Sequence, residues 1–102
     1  AIPKNGPSAG VSITTSLISL LKKKKVAKDI AFTGEMTLRG EILPVGGIKE
    51  KIIGAYNYGI KKVYVPSKNK NDIKGIPKEV KNNLEIVLVN NYLEIYNEIF
   101  QK

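Results

Sequence analysis

Ser8 lies in a run of small and turn-forming residues, 5–10, that is suited to presenting a nucleophile. Its neighbours leave the hydroxyl sterically open, and the run comes directly before a predicted helix. Because the first N–H groups of a helix have no partners within it, they could stabilise an oxyanion beside Ser8. Two other interpretations stay open: Ser8 could cap the helix, or the run could form a phosphate nest. No Gly-Lys-Ser/Thr follows, so a Walker-type nucleotide loop is unsupported.

Two lysines, Lys49 and Lys51, lie in the first turn of a second predicted helix, directly after Gly46 and Gly47. A cation at this end of a helix opposes the macrodipole, which favours the neutral amine. A neutral lysine amine is a general base, so either lysine could activate a serine. Both flank the apolar stripe of the helix, so helical spacing does not choose between them. An ordinary pair of surface lysines explains the same pattern.

Two absences limit the chemistry, because the 102-residue sequence contains no cysteine and no histidine. This excludes a disulfide-stapled scaffold, a thiol nucleophile, a thiolate or two-histidine metal site and a Ser-His-Asp triad made by this chain alone. Any nucleophilic catalysis must therefore use another base. Apolar residues make up 42% and charged residues 25%, as in an ordinary globular domain. No apolar stretch approaches the roughly 20 residues of a membrane-spanning helix.

The sequence is strongly basic, with 17 basic against 9 acidic residues and a net charge of +8. A basic surface favours nucleic acid, because binding releases condensed counterions. However, Arg39 is the only arginine, whereas proteins that bind bases and phosphates usually exploit the bidentate guanidinium group. A lysine-rich nucleic-acid-binding module is therefore the alternative to an enzyme.

A third polar segment, 33–40, follows a predicted strand. The hydroxyl of Thr33 could orient a nearby lysine, and Glu35 could form an ion pair with Arg39. The polar face of an exposed strand explains the same residues, so this segment is weak evidence by itself.

Hydrophobic periodicity predicts the elements that must position these residues. The predicted elements are helices over 11–21, 48–58 and 92–100, strands over 29–33, 35–43, 61–65 and 84–89, and a short helix with Pro77 in its first turn. Residues 1–10 are predicted to be loop, and 29–33 with 35–43 to be two short strands or a hairpin. Asn91 is predicted to cap the last helix, with Glu94 completing the capping box. The order predicts one α/β (α+β) domain over residues 1–102, a mixed sheet packed with helices.

The first predicted helix is amphipathic in an unusual way. Its apolar residues fall on one side of the helical wheel, and serines and threonines fall on the other. Because the polar side is uncharged and built of poor helix formers, we expect it to pack against another element.

Three blocks of the sequence, 3–10, 32–40 and 43–51, closely resemble the proteolytic domain of the Lon family of ATP-dependent proteases. Their order and spacing match, and the resemblance continues to the last helix, so it covers essentially the whole chain. It implies the Lon proteolytic-domain fold, with the N-terminal part of the domain missing from this chain.

The resemblance implies roles for five residues. The family uses a Ser-Lys dyad, which makes Ser8 the nucleophile and Lys51 the general base. Thr33 would hydrogen-bond the lysine amine, and Glu35 and Arg39 would lie at the rim of the site with structural or gating roles. The implied reaction is acyl transfer, in which neutral Lys51 takes the Ser8 proton and water later releases the acyl-enzyme.

Further expectations come from the resemblance alone. It implies an ATP-dependent serine endopeptidase that degrades misfolded and regulatory proteins as a homo-hexamer, with weak nucleic-acid binding as a secondary property and no membrane partner. The expected location is the mitochondrial matrix or the bacterial cytoplasm, not the secreted fraction. ATP and magnesium would serve an AAA+ domain outside this chain, and no cofactor is expected within it. Asn5 replaces the aspartate usual in the family, so a catalytically inactive scaffold of the same fold is a further alternative.

Overall fold

The computed structural model describes residues 8–101, which form six strands, four α-helices and one 3-10 helix. In chain order the elements are β1 (Ser8–Gly10), α1 (Val11–Lys22), β2 (Ile30–Phe32), β3 (Glu35–Thr37), β4 (Ile42–Leu43), α2 (Ile48–Asn57), β5 (Lys62–Pro66), the 3-10 helix (Ser67–Gly75), α3 (Lys78–Asn83), β6 (Glu85–Val89) and α4 (Tyr92–Phe100). The predicted α/β class is confirmed.

The strands belong to two sheets. One is antiparallel in the order β1-β3-β4, and the other is parallel in the order β2-β5-β6. A hairpin between 29–33 and 35–43 is therefore wrong, because β2 and β3 lie in different sheets. The chain changes sheets at Gly34, which has a φ of +104°. A Cβ there would lie 3.0 Å from Cγ of Pro66, so this corner requires glycine.

Helices cover both faces of the parallel sheet, and each face has its own apolar core. The core on the α2 and α3 face is built from Ile48, Ile52, Val63, Val65, Ile76, Val80 and Leu84. The core on the α1 and α4 face is built from Val11, Ile42, Tyr64, Val89, Tyr92 and Ile95. Successive residues of β5 therefore serve opposite cores, because side chains alternate along a strand.

The buried face of α1 differs from the face that the helical wheel predicts. Thr15 is buried, and its Oγ1 lies 2.9 Å from the carbonyl oxygen of Val11 and 2.8 Å from the hydroxyl of Tyr92. This contact confirms in part that the polar side packs against another element. The apolar side remains accessible at four positions, with exposed fractions from 56% to 84%. These positions are Ile13, Leu17, Leu20 and Leu21.

Most predicted elements are confirmed, with three corrections near the loops. Residues 8–10 form β1 rather than loop, because their backbone pairs with β3. Pro77 is the N-cap of α3 rather than part of its first turn, and the polar segment before it forms the 3-10 helix. The capping box of Asn91 and Glu94 is present as predicted. Within residues 8–101, no helix combines the length and apolarity needed to cross a membrane.

A hydrogen-bonded cluster ties α4 to the centre of the parallel sheet. Oε1 of Glu98 accepts from Nζ of Lys62 at 3.0 Å and from the hydroxyl of Tyr64 at 2.8 Å. Burial by itself would lower the pKa of Lys62, but its hydrogen bonds to Glu98 and Tyr64 raise that pKa overall. Burial is the main reason why the pKa values of Tyr64 and Tyr92 are raised.

These raised pKa values predict a loss of stability in alkali. The folded state holds these three protons more tightly than the unfolded state does, on Lys62, Tyr64 and Tyr92. Their contribution to stability is therefore complete below the ordinary pKa values of 10.0 to 10.5. It disappears as the pH rises through the raised pKa values. We expect the free energy of unfolding, measured by urea titration at a series of pH values, to fall above about pH 10. Tyr64→Phe should make this fall shallower, whereas Tyr58→Phe at an exposed position should not. A fall of the same steepness in Tyr64→Phe and the wild type would contradict the assignment.

Candidate active site

Gly34 is the point at which the segment carrying Ser8 meets the parallel sheet. Ser8 is the first residue of β1, where it pairs with Thr37, and Gly10 is the N-cap of the helix that follows. The interpretation of Ser8 as the helix cap is therefore wrong. The N–H of Val11 donates to the Gly34 carbonyl at 3.0 Å, which fixes the start of α1 against this corner. That N–H is committed, so it is not a donor for an oxyanion. Asn5 lies outside the described residues.

Thr33 lies at the end of β2, immediately before this corner. Its N–H and its Oγ1 both donate to the carbonyl oxygen of Tyr64, at 3.0 and 2.8 Å. Ala31 packs into the core beneath α2, and strand alternation places Thr33 on the same face of the sheet. Because its proton is used by Tyr64, the hydroxyl of Thr33 can still accept a hydrogen bond, but it has no second proton to donate.

Lys49 and Lys51 lie on opposite flanks of the buried stripe of α2, at 100° per residue. Nζ of Lys49 lies 3.2 Å from the point where a Cβ on Gly75 would be, so this lysine extends over the end of the 3-10 helix. The 3-10 helix packs against β5 and β6, whereas β2 lies on the other side of β5. Lys51 therefore lies on the flank of α2 that is turned away from the end of the 3-10 helix.

The strand that leads into α2 also leaves from the Gly34 corner. Leu43 of β4 pairs with Glu35, and its carbonyl oxygen lies 3.6 Å from the position of a Cβ on Gly34. The loop 44–47 then connects directly to α2. The end of β1, the end of β2 and the strand that leads towards α2 therefore meet at this corner. Ser8 lies at the other end of β1, opposite Thr37, and Lys51 lies beyond the loop 44–47.

Glu35 and Arg39 lie at different ends of the β3 region. Glu35 is exposed at the start of β3, opposite Gly10. Arg39 is exposed in the turn after β3, where its N–H donates to Oγ1 of Thr37 at 3.2 Å. There Arg39 lines an open, largely apolar groove of about 460 Å³. Glu35 is therefore next to the Gly34 corner, and Arg39 lies in the turn between β3 and β4.

Sequence reasoning missed Asn69, which lies within the 3-10 helix and holds the loop in front of α2. Its side chain is buried and bonds to the backbone of Val45. Gly46 and Gly47 offer no side-chain cap to α2, so the sequence indicates that the loop needs a partner from elsewhere, but it does not identify Asn69 as that partner. Among residues 8–101, no group of three or more acidic side chains is arranged to hold a metal ion.

Comparison with known proteins gives a consistent result across the chain. Residues 1–102 match a family model described as the Lon protease (S16) C-terminal proteolytic domain. The chain is 50% identical over 101 residues to a Lon protease from Mycoplasma mycoides subsp. mycoides SC, covering 99% of this chain and 13% of that protein. It is also 50% identical over 101 residues to "Lon protease homolog 2, peroxisomal" from Oryza sativa subsp. indica, covering 99% of this chain and 11% of that protein.

A third relative is "Lon protease 2" from Borreliella burgdorferi, which is 50% identical over 97 residues. That match covers 95% of this chain and 12% of the relative. The chain therefore spans only 11% to 13% of the length of these three relatives.

Proposed function

The chain belongs to the Lon protease family, and from that premise we propose that it carries the peptidase site of an ATP-dependent serine endopeptidase. Ser8 is the nucleophile and Lys51 is the general base. The observation that carries this assignment is the shared Gly34 corner, where β1, the end of β2 and the connection to α2 meet. The lack of histidine and cysteine supports it, because a serine nucleophile in this chain has only lysine as a nitrogen base of suitable type.

In the proposed acyl transfer, Lys51 carries one proton in each of two steps. The neutral amine of Lys51 takes the hydroxyl proton of Ser8 as the serine oxygen bonds to the substrate carbonyl carbon. The resulting ammonium returns that proton to the leaving amine as the peptide C–N bond breaks. Lys51 then takes a proton from the water that attacks the ester and gives it to the serine oxygen as the ester C–O bond breaks, which releases the new carboxyl end and restores Ser8. Backbone N–H groups around Ser8, other than that of Val11, hold the oxyanion.

Thr33 orients the base in this mechanism. Its hydroxyl proton is used by the Tyr64 carbonyl, so its oxygen accepts a hydrogen bond from the Lys51 amine. This bond directs the nitrogen lone pair of Lys51 away from Thr33 and towards the serine. Glu35, beside the corner, and Arg39, in the turn, have supporting roles at the rim.

The whole protein would supply what this chain does not contain. An AAA+ domain outside the chain would use ATP and magnesium to unfold proteins and deliver extended polypeptide to a ring of six such sites. The family match favours this peptidase over a lysine-rich nucleic-acid-binding module and over an inactive scaffold.

The proposal is tested with the full-length protein and an unstructured peptide that carries a fluorophore and a quencher. We expect hydrolysis of an internal peptide bond, identified by mass spectrometry of the products, and inhibition by a peptidyl boronate that bonds to a serine oxygen. An unfolded protein substrate should be degraded only when ATP is present. Failure to cleave the peptide with ATP and magnesium present would overturn the proposal.

A further inference from the structure

Asn69 is an unusual residue in its surroundings, because it is a buried amide within a polar 3-10 helix. Its exposed fraction is 4%, and among the described residues Thr15 and Asn69 are the buried polar side chains besides the tyrosines. A buried amide costs free energy unless its donors and acceptor are used. Its side chain makes three hydrogen bonds within the protein, and two of them go to the loop that precedes α2.

Asn69 pairs with the backbone of Val45 much as a neighbouring strand would. Its Oδ1 accepts from the Val45 N–H at 2.9 Å, and its Nδ2 donates to the Val45 carbonyl at 2.8 Å. The remaining N–H of Nδ2 donates to Oδ2 of Asp72 at 2.8 Å. The Val45 N–H and carbonyl determine which end of the amide faces each of them, and Asp72 reinforces this orientation because a carboxylate accepts and does not donate.

The clamped residue lies close in sequence to Lys51. Gly47, two residues after Val45, is the N-cap of α2 with a φ of +67°, and no side chain caps this helix. The Gly47 carbonyl then accepts from the Lys51 N–H at 3.1 Å. The position of Lys51 is therefore connected to Asn69 through a few backbone bonds.

Val45 packs against the apolar core on one side of this loop, but the other side is open. An open groove of about 330 Å³ runs beside it, lined by Gly46, Gly47, Lys49 and Asp72 among others. Among the described residues other than Gly46 and its two chain neighbours, no heavy atom lies within 4 Å of the position that a Cβ on Gly46 would occupy. Without the Asn69 clamp, the open side of the loop would have space to shift, even though Ile48 anchors the start of α2 in the core.

We propose that Asn69 is a positioning residue for the general base Lys51, and that Asp72 reinforces the orientation of the Asn69 amide. The inference rests on the proposed function of Lys51. Asn69 acts through the backbone of 45–47 and need not touch substrate. A displacement of about 1 Å at a reacting group lowers the rate about a hundredfold, so loss of the clamp acts on kcat rather than on KM.

The test uses peptide cleavage by the full-length protein, with rates expressed per active site titrated by a serine-directed boronate. Asn69→Ala should lower kcat about 10- to 100-fold and change KM less than about twofold. Asn71→Ala, an exposed amide in the same 3-10 helix, is the matched control and should leave both constants unchanged. A merely structural role would reduce the number of titrated sites and leave kcat per site intact, which would overturn the proposal.

Asp72 provides a second set of variants in case Asn69→Ala does not fold, because its side chain is exposed. Asp72→Asn keeps an oxygen that can accept from Asn69 and should retain most of kcat, whereas Asp72→Ala should lower it. Equal kcat in these two variants would overturn the role of Asp72. Lys51→Ala is measured in parallel. If Lys51→Ala stays active, the proposed function is wrong. If Lys51→Ala is inactive while Asn69→Ala keeps full kcat, only the positioning role of Asn69 is wrong.

Discussion

Replacing Lys51 with alanine in the full-length protein is expected to abolish peptide cleavage, while the same change at Lys49 leaves the rate within about twofold. Removing a general base from a hydrolase of this kind typically costs about 10³-fold or more. The two lysines are two residues apart on one helix, so they form a matched pair. Their local sequence is nearly symmetrical, and the structure supplies the difference between them.

The difference comes from the direction in which each lysine leaves α2. Lys49 extends over Gly75 at the end of the 3-10 helix, where its amine lies beside backbone rather than beside Thr33. Lys51 leaves on the opposite flank of the buried stripe of α2. Neither amine is part of the apolar core, so alanine at either position leaves the contacts of Ile48 and Ile52 intact.

The measurement is the cleavage rate of an unstructured fluorogenic peptide by the two variants and the wild type, with circular dichroism as the control for folding. Loss of cleavage in Lys51→Ala alone supports the dyad. Loss of cleavage in both variants would show that the substitutions disturb the structure of α2. Lys51→Arg would then separate a structural effect from loss of the base, because arginine keeps the charge but cannot act as the base. Loss in Lys49→Ala alone would assign the base to the other lysine.

Local patterns predict the elements of this fold well where the interactions are local. The last helix is an example, since Asn91 and Glu94 lie three residues apart and their capping box is present. Thr15 is a counterexample. The sequence pattern places it on a polar helix face, but in the structure it is buried against Tyr92, 77 residues away, whose hydroxyl lies within hydrogen-bond distance. No helical wheel contains that information.

The division into two sheets was also beyond local patterns. The strands around Gly34 show the alternation expected of a hairpin, yet β2 pairs with β5 and β3 pairs with β1 and β4. Burial patterns decide which face of a strand points inward, but they do not choose its partner. The positive φ of Gly34 would be compatible both with a hairpin turn and with the observed change from one sheet to the other.

The candidate site rests on two separate arguments. Composition excludes cysteine and histidine chemistry, and only the resemblance selects Ser8 and Lys51, which stay a prediction. Asn69 escapes both arguments, because a polar asparagine in a polar segment gives no sign that it is buried against Val45, 24 residues earlier in the chain. Such support becomes visible only when the backbone partners of a loop are traced.

Ser8→Ala is expected to remove peptide cleavage, by about 10³-fold or more, without lowering the stability of the fold. Ser8 joins β1 to β3 through its backbone, which alanine retains, and the N-cap of α1 is Gly10. If Ser8 were instead the cap, the same change would destabilise the protein by about 1 kcal/mol. Activity and thermal unfolding of one variant therefore separate the nucleophile from the cap.

A fluorophosphonate provides the chemical counterpart of that variant. It should modify the wild-type protein on the peptide that contains Ser8, fail to modify that peptide in Ser8→Ala, and react slowly with Lys51→Ala, because the base that activates the serine oxygen is gone. Modification of Ser12 or Ser16 at the wild-type rate would show that the reagent attacks accessible hydroxyls in general. Equal labelling rates of Ser8 in the wild type and in Lys51→Ala would show that Lys51 does not activate Ser8. The dyad would then have to be abandoned even if each alanine variant were inactive.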